Sequence, residues 1–329
     1  MLTRIIMCMI VYVMFIIIQP ALETFDFSKG FNEENVRSWS DEYIMPNYDM
    51  TKITQVNSEQ TQDVTYTLGE PFEEDGSVTL DSEYQGTFHV YDDPGVFRMV
   101  LTNDGSVTGV YTNSDDVSVG QMNFEGLDRL KVEEIYGEPV STISKGMQRL
   151  VVENDEYDVF DLEDSYVYFF YDLHENDEVS GMLVIDKDEL DVNNVLYNNP
   201  DAEEYEQMNW YMLNAARIEY GLEPLEIDGE VSAVAKSHST DMAEREYFDH
   251  DSPEGSTLKD RVEDADIRYR LAGENIATGH TSPIFSHHSL MNSLDHRVNI
   301  LNADYTHIGL GVDYSDEDVP YYTENFIER

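Results

Sequence analysis

The sequence predicts an α+β protein in which a strand-rich middle precedes a helical C-terminal third. Three observations carry this. Short apolar runs with turn signals occupy residues 61–195 and come in two copies. From about Tyr205 the apolar spacing changes to the 3.6-residue period of helices. Seven of the nine histidines then fall between residues 238 and 307, which marks that third as the place of a site.

At 329 residues and 37.9 kDa the chain has the length of about two domains. Asp and Glu total 68 against 19 Lys and Arg, a formal charge of −49. So negative a surface repels phosphate backbones and anionic lipid, so no nucleic acid is expected as a partner. It resembles surfaces suited to salty or alkaline surroundings. The lone cysteine, Cys8, excludes a disulfide within the chain and any zinc ribbon.

Arg4 precedes Ile5 to Ile18, a run without charge, as in a secretory signal. No small-x-small cleavage pattern surrounds Gln19-Pro20-Ala21-Leu22, so residues 1–22 read equally as a cleaved signal or a retained membrane anchor. Either way the remainder is expected outside the cytoplasm, because Arg4 lies before the apolar run. Membrane contact is expected only through this segment. Residues 23–60 read as a polar linker, with a short helix near Glu33–Tyr43.

The two middle copies open with Leu68-Gly69-Glu70-Pro71 and Tyr136-Gly137-Glu138-Pro139. His89-Val90-Tyr91-Asp92 then matches Asp158-Val159-Phe160-Asp161. Strand-like runs follow in each: Phe97 to Leu101 and Val107 to Thr112, then Tyr166 to Tyr171 and Val179 to Ile185. Asn103-Asp104-Gly105 is a hairpin signal, and Glu175-Asn176-Asp177 takes its place in the second copy. Each copy is expected to be a short helix, a Gly-x-Pro stop and three or four antiparallel strands. His89 and His174 stand alone, and no site is expected here.

In the C-terminal third, Met208, Tyr211, Met212, Ala215 and Ile218 mark one helix, ended at Gly221. Asp228 caps a second, whose apolar face holds Val231, Val234, Ala235, His238 and Met242. Thr257 caps a third, and Ser282-Pro283 opens a fourth. Ile308 to Tyr314 and Pro320 to Phe326 read as strands. His238 reads as a core histidine or a contact supporting the site. Asp241 and Ser239 read as surface or capping groups, and Arg297 and Asn299 as local structural groups. His287 and His288 adjoin on a helix and point apart. One of Tyr321 and Tyr322 is expected to be buried.

Five strings occur in order: His238-Ser239-Thr240-Asp241-Met242; Phe248-Asp249-His250-Asp251-Ser252-Pro253; Gly273-Glu274-Asn275; His296-Arg297-Val298-Asn299-Ile300-Leu301; and Tyr322-Thr323-Glu324-Asn325-Phe326. Over about residues 205–329 the chain resembles the CAP superfamily of cysteine-rich secretory, antigen-five and pathogenesis-related proteins, in its SCP-like bacterial branch. Residues 61–195 resemble the CAP-associated N-terminal domain of Bacillus-type envelope proteins. The resemblance implies an α-β-α sandwich with a cleft. It places His250, Glu274 and His296 in that cleft, with Ser293 and His238 beside them. Some family members bind a divalent metal through two His and two Glu. Here the second Glu has no counterpart, since Asn292 and Ser293 occupy its place, and Asp295 and Leu290 depart from the family's Gly and Trp.

Two imidazoles and a carboxylate from separate segments suit a three-ligand zinc site with His250, Glu274 and His296 as ligands, or equally a hydrogen-bonded polar cluster. No Gly-x-Ser-x-Gly elbow or His-Glu-x-x-His helix is present. The expected function is therefore an exported, non-enzymatic module that binds an envelope ligand or protein through a His/Glu cleft. The alternative is a metal-dependent hydrolase using the same cleft.

Overall fold

A computed structural model of the chain describes residues 63–73, 77–93, 95–145, 148–190 and 199–329. The expected signal or anchor, the linker and the helix near Glu33–Tyr43 lie outside the described residues. Among those described, no helix is long and apolar enough to cross a membrane.

The strand-rich region forms one seven-stranded antiparallel sheet. Its strands are β2 (Val78–Asp81), β3 (Thr87–Tyr91), β4 (Arg98–Asn103), β5 (Ser106–Thr112), β9 (Tyr157–Asp161), β10 (Ser165–Asp172) and β11 (Glu178–Asp186). They lie in the order β2-β3-β4-β5-β11-β10-β9. The duplication is visible in that order. The first copy contributes a four-stranded meander and the second a three-stranded one, and the copies join through their last strands, β5 and β11, with Tyr111 opposite Leu183. Both hairpin signals are used: Asp104 and Gly105 have φ of 50° and 77°, and Asn176 and Asp177 both have 58°. These left-handed residues give the turn a twist that matches the strands.

Around the sheet, β1 (Val64–Tyr66) pairs in parallel with β6 (Val117–Val119), and β7 (Thr142–Lys145) pairs with β8 (Gln148–Val151). The second copy has its helix, α1 (Arg129–Tyr136), capped by Asp128 and ended by Gly137 at φ 89°. The first copy departs from expectation: the residues before its Gly69 are strand β1. Val64 and Tyr66 pack in the same apolar cluster as Val117 and Val119, and this partner favours extended chain.

Every residue of β10 is buried. Tyr166, Tyr168 and Phe170 point to one apolar cluster, and Val167, Phe169 and Tyr171 to another, as the two-residue period of a strand requires. The second cluster is closed by α1 and its flanking loops. The first is closed by helices of the C-terminal domain.

That domain contains α2 (Ala202–Glu219), β12 (Glu226–Ile227), α3 (Gly229–Arg245), α4 (Leu258–Asp264), β13 (Leu271–Thr278), α5 (Pro283–Asn292), α6 (Leu294–Ile300), β14 (His307–Tyr314) and β15 (Pro320–Glu328). Its sheet runs β12-β14-β15-β13. One face packs on α2, α5 and α6 through Ile308, Leu310, Val312 and Phe326. The other packs on α3 and α4 through Val231, Val262 and Ile327. This is the α-β-α sandwich. The Gly309-Leu310-Gly311 string allows the second contact, because a Cβ at either glycine would strike the α3 backbone at Val231 or Ala235.

Helix α2 serves two cores. Met208, Tyr211 and Met212 enter the cluster under β10, while Tyr205, Leu213 and Ala216 face the sandwich. The capping expectations hold at Asp228, which accepts from Val231 N, and at Thr257, which forms a capping box with Asp260. Tyr322 is the buried member of its pair. Ser239 is a correction: it is fully buried and ties α3 to the sheet through Gly311 O and Thr323 Oγ1 at 2.9 and 2.8 Å. Arg297 is another, since it reaches out of its domain to Asp172 on β10 at 2.7 Å.

Candidate functional site

His250 sits in the loop after α3, Glu274 on β13 and His296 on α6. Strand β13 places the Glu274 side chain under α4, where it is 6% exposed. Its Oε1 is 2.9 Å from His250 Nδ1, and its Oε2 accepts from Arg261 of α4 at 2.6 Å. Arg261 also donates to His250 O and Ser256 O at 2.9 and 3.1 Å, so one guanidinium fixes both the loop and the carboxylate. Burial pushes the Glu274 carboxyl up, but the His250 hydrogen bond and the Arg261 charge outweigh it and hold it below the usual carboxylate value.

His296 joins from α6, which docks on β13 through two amide contacts. Asn275 donates to His296 O at 3.2 Å, and Asn299 donates to Glu274 O at 3.2 Å. Asn299 is therefore a bridge between elements. Burial, with a smaller contribution from the charge of His250, depresses the His296 imidazole to about 4. Its Nδ1 lies 2.7 Å from Ser293 Oγ. His238 is 1% exposed, and its Nε2 lies 3.1 Å from Asp249 O, so it holds the loop carrying His250. The structure thus brings His250 and Glu274 into contact, puts His296 within electrostatic reach of His250, and leaves Ser293 and His238 as supports.

Arg261 is the cleft residue that the sequence reading missed. The available signal was scarcity: a positive charge four residues past the Thr257 cap stands out in so acidic a chain.

A metal does not fit this arrangement without rearrangement. Both Glu274 oxygens are engaged, one of them by a cation. Among the described residues no three His, Cys, Asp or Glu side chains are grouped to hold a metal ion. Asn292, in the place of the family's second Glu, is turned to other work: it donates to Tyr171 O and accepts from Leu173 N, each at 3.0 Å, and so clips α5 to the sheet module. Ser252 accepts from Ser256 N within its turn.

Residues 210–326 match the cysteine-rich secretory protein family, CAP, and residues 57–195 match the CAP-associated N-terminal family. Residues 210–326 are thus a CAP domain, behind a CAP-associated N-terminal domain at residues 57–195. Two Bacillus subtilis proteins are similar to it. The uncharacterized membrane protein YlbC is 42% identical over 118 residues, 36% of this chain and 33% of that protein. The uncharacterized protein YkwD is 42% identical over 125 residues, 38% of this chain and 48% of that protein. The chain thus matches a third to about half the length of these relatives. In fold it is similar to an extracellular SCP-domain protein from Bacillus anthracis, with TM-score 0.67, 23% identity, and coverage of 84% of this chain and 100% of that one. It is also similar to a cysteine-rich secretory protein from Staphylococcus aureus, with TM-score 0.61, 17% identity, and coverage of 82% and 98%. Both comparisons extend over the CAP domain and the sheet module together.

Proposed function

We propose that this CAP protein is exported and acts at the cell envelope or outside the cell as a non-enzymatic binding module. Its ligand, an envelope component or protein, meets the His250–Glu274–His296 cleft. The observation that carries this reading is the closed charge balance of the cleft. Glu274 is neutralised by Arg261 and hydrogen-bonded to His250. It is thereby poorly placed to act as a general base, which needs a carboxylate raised toward neutral pH. His296, depressed to about 4, is a weak base for activating Ser293. What remains is a rigid, preorganised set of polar groups suited to recognition. The export reading rests on Arg4 and Ile5–Ile18. It also draws on the likeness to YlbC, a membrane protein, and to the extracellular Bacillus anthracis protein.

The experiment is retention of the full chain on isolated envelopes of its host, with cell wall and membrane assayed separately. Wild type is compared with His250→Ala and His296→Ala. Retention that both variants lower about tenfold supports the reading. Equal retention of all three proteins, or metal-stimulated hydrolysis that His250→Ala abolishes, overturns it.

A further inference from the structure

A second cavity lies between the sheet module and helices α2 and α5, away from the CAP cleft. It measures about 900 Å³ and is lined by residues of both domains. Nine carboxylates and no Lys or Arg line it, so any charge that a ligand brings must be positive. Two of the nine are compensated from behind, Asp93 by Arg98 and Asp172 by Arg297.

Acidity alone does not make a site in so acidic a chain. The polar groups buried within the cavity do. His287 of α5 lines it while only 4% exposed, and its Nδ1 has no hydrogen-bond partner among the described residues. A buried polar atom of this kind costs free energy unless something meets it. Burial, and to a lesser extent Arg297, depresses its imidazole to about 4, so the ring is neutral and a ring nitrogen can accept. Glu219, at the end of α2, also lines the cavity and accepts from Asn113 at 3.3 Å. The walls include Trp210 and Tyr211, with ring centroids 4.9 Å apart, and Trp210 is fixed by donating to Leu225 O at 2.9 Å. Acceptors inside and aromatic walls match a ligand with an N–H-rich cationic head and an apolar stem.

We infer that this interdomain cavity binds a primary alkyl ammonium, its head between Glu219 and His287 and its stem along Trp210 and Tyr211. The ammonium could be a free diamine or a lysine side chain, which offer the same chemistry. Binding is linked to a proton. Burial, with the charges of Asp172 and Asp115, raises the Glu219 carboxyl to about 8, against the opposing effects of Arg297 and the Asn113 hydrogen bond. Tyr111 and Tyr220 also face it and stay neutral, since burial raises both phenols. At pH 7 Glu219 is therefore mostly protonated, and a bound ammonium drives the proton off.

The test is calorimetric titration of the full chain with 1,5-diaminopentane and with Nα-acetyl-lysine methylamide at fixed ionic strength. Buffers of different ionisation heat read the proton count, and 1,5-pentanediol serves as the uncharged control. The expected result is one saturable site and release of approaching one proton at pH 7, falling above pH 8. Affinity should fall about tenfold in Glu219→Gln, the worth of a charge-assisted hydrogen bond. It should also fall, by less, in Asp115→Asn at the exposed rim, a variant that keeps the fold even if Glu219→Gln does not. It should be unchanged in His296→Ala. The tighter of the two probes names the source. Equal affinity in wild type and Asp115→Asn, binding without proton release, or equal binding of the diol each overturns the proposal.

Discussion

Glu274 meets Arg261 at 2.6 Å and His250 at 2.9 Å in a place with little water. Removing the guanidinium strands a buried charge. Arg261→Met is expected to cost about 3 kcal/mol in urea unfolding, and Glu274→Gln in the same background should recover part of it. The pH dependence has a definite sign. The folded carboxyl lies below its unfolded value, so its contribution is full above about pH 4.5 and is lost as pH falls through the folded value. A fall in stability below pH 4.5 that is smaller in Glu274→Gln than in wild type checks this. His250, Glu274 and His296 were legible in the sequence because each sits in a recognisable string. Arg261 was not, because its partners lie 11 and 13 residues away across a loop and no helical or strand period links them.

Helix α5 holds the two domains together through His288. Its ring stacks on Phe170 with centroids 4.1 Å apart and planes at 6°, and its Nε2 lies 2.9 Å from Tyr111 Oη. This fit needs a glycine opposite. A Cβ on Gly181 would sit 2.9 Å from the His288 ring. Gly181→Ala is therefore expected to cost about 1–3 kcal/mol by overpacking, with His288→Ala in the same chain relieving part of it. Thermal unfolding of the two single variants and the double variant measures that coupling. Strands β4, β5, β10, β11, β14 and β15 and four of the C-terminal helices were legible from apolar period and caps. Strand β13 was not, since buried Glu274 and Asn275 break its alternation. Helix α6, at seven residues, is too short to show a period. The structural reach of Arg297 and Asn292 was hidden because both partner elements come from the other domain.

The whole molecule carries a charge of −49, and its carboxylates repel one another at low ionic strength. Salt screens exposed charges over about 10 Å at 0.1 M, so melting temperature is expected to rise from low to molar sodium chloride. A comparison of chloride with sulfate separates screening from general salting-out. Buried groups then shape the pH profile. Burial depresses His280, His287 and His296 to about 4, so their stabilisation is lost as pH falls from about 6.5 toward 4. It raises Glu83 and Glu324 to about 7 and Glu219 to about 8, so theirs is lost as pH climbs from about 4.5 through 7 to 8. The two sets offset between about pH 4.5 and 6.5. Urea midpoints should be level there and fall toward pH 8.

The CAP cleft is a closed polar cluster, with both Glu274 oxygens engaged by His250 and Arg261. The most direct test is calorimetric titration of the full chain with zinc at pH 7, beside His296→Ala and Glu274→Gln. Weak uptake by surface carboxylates is expected, the same in all three proteins, with no hydrolysis of ester or peptide substrates. One tight equivalent of zinc that both variants lose would contradict it.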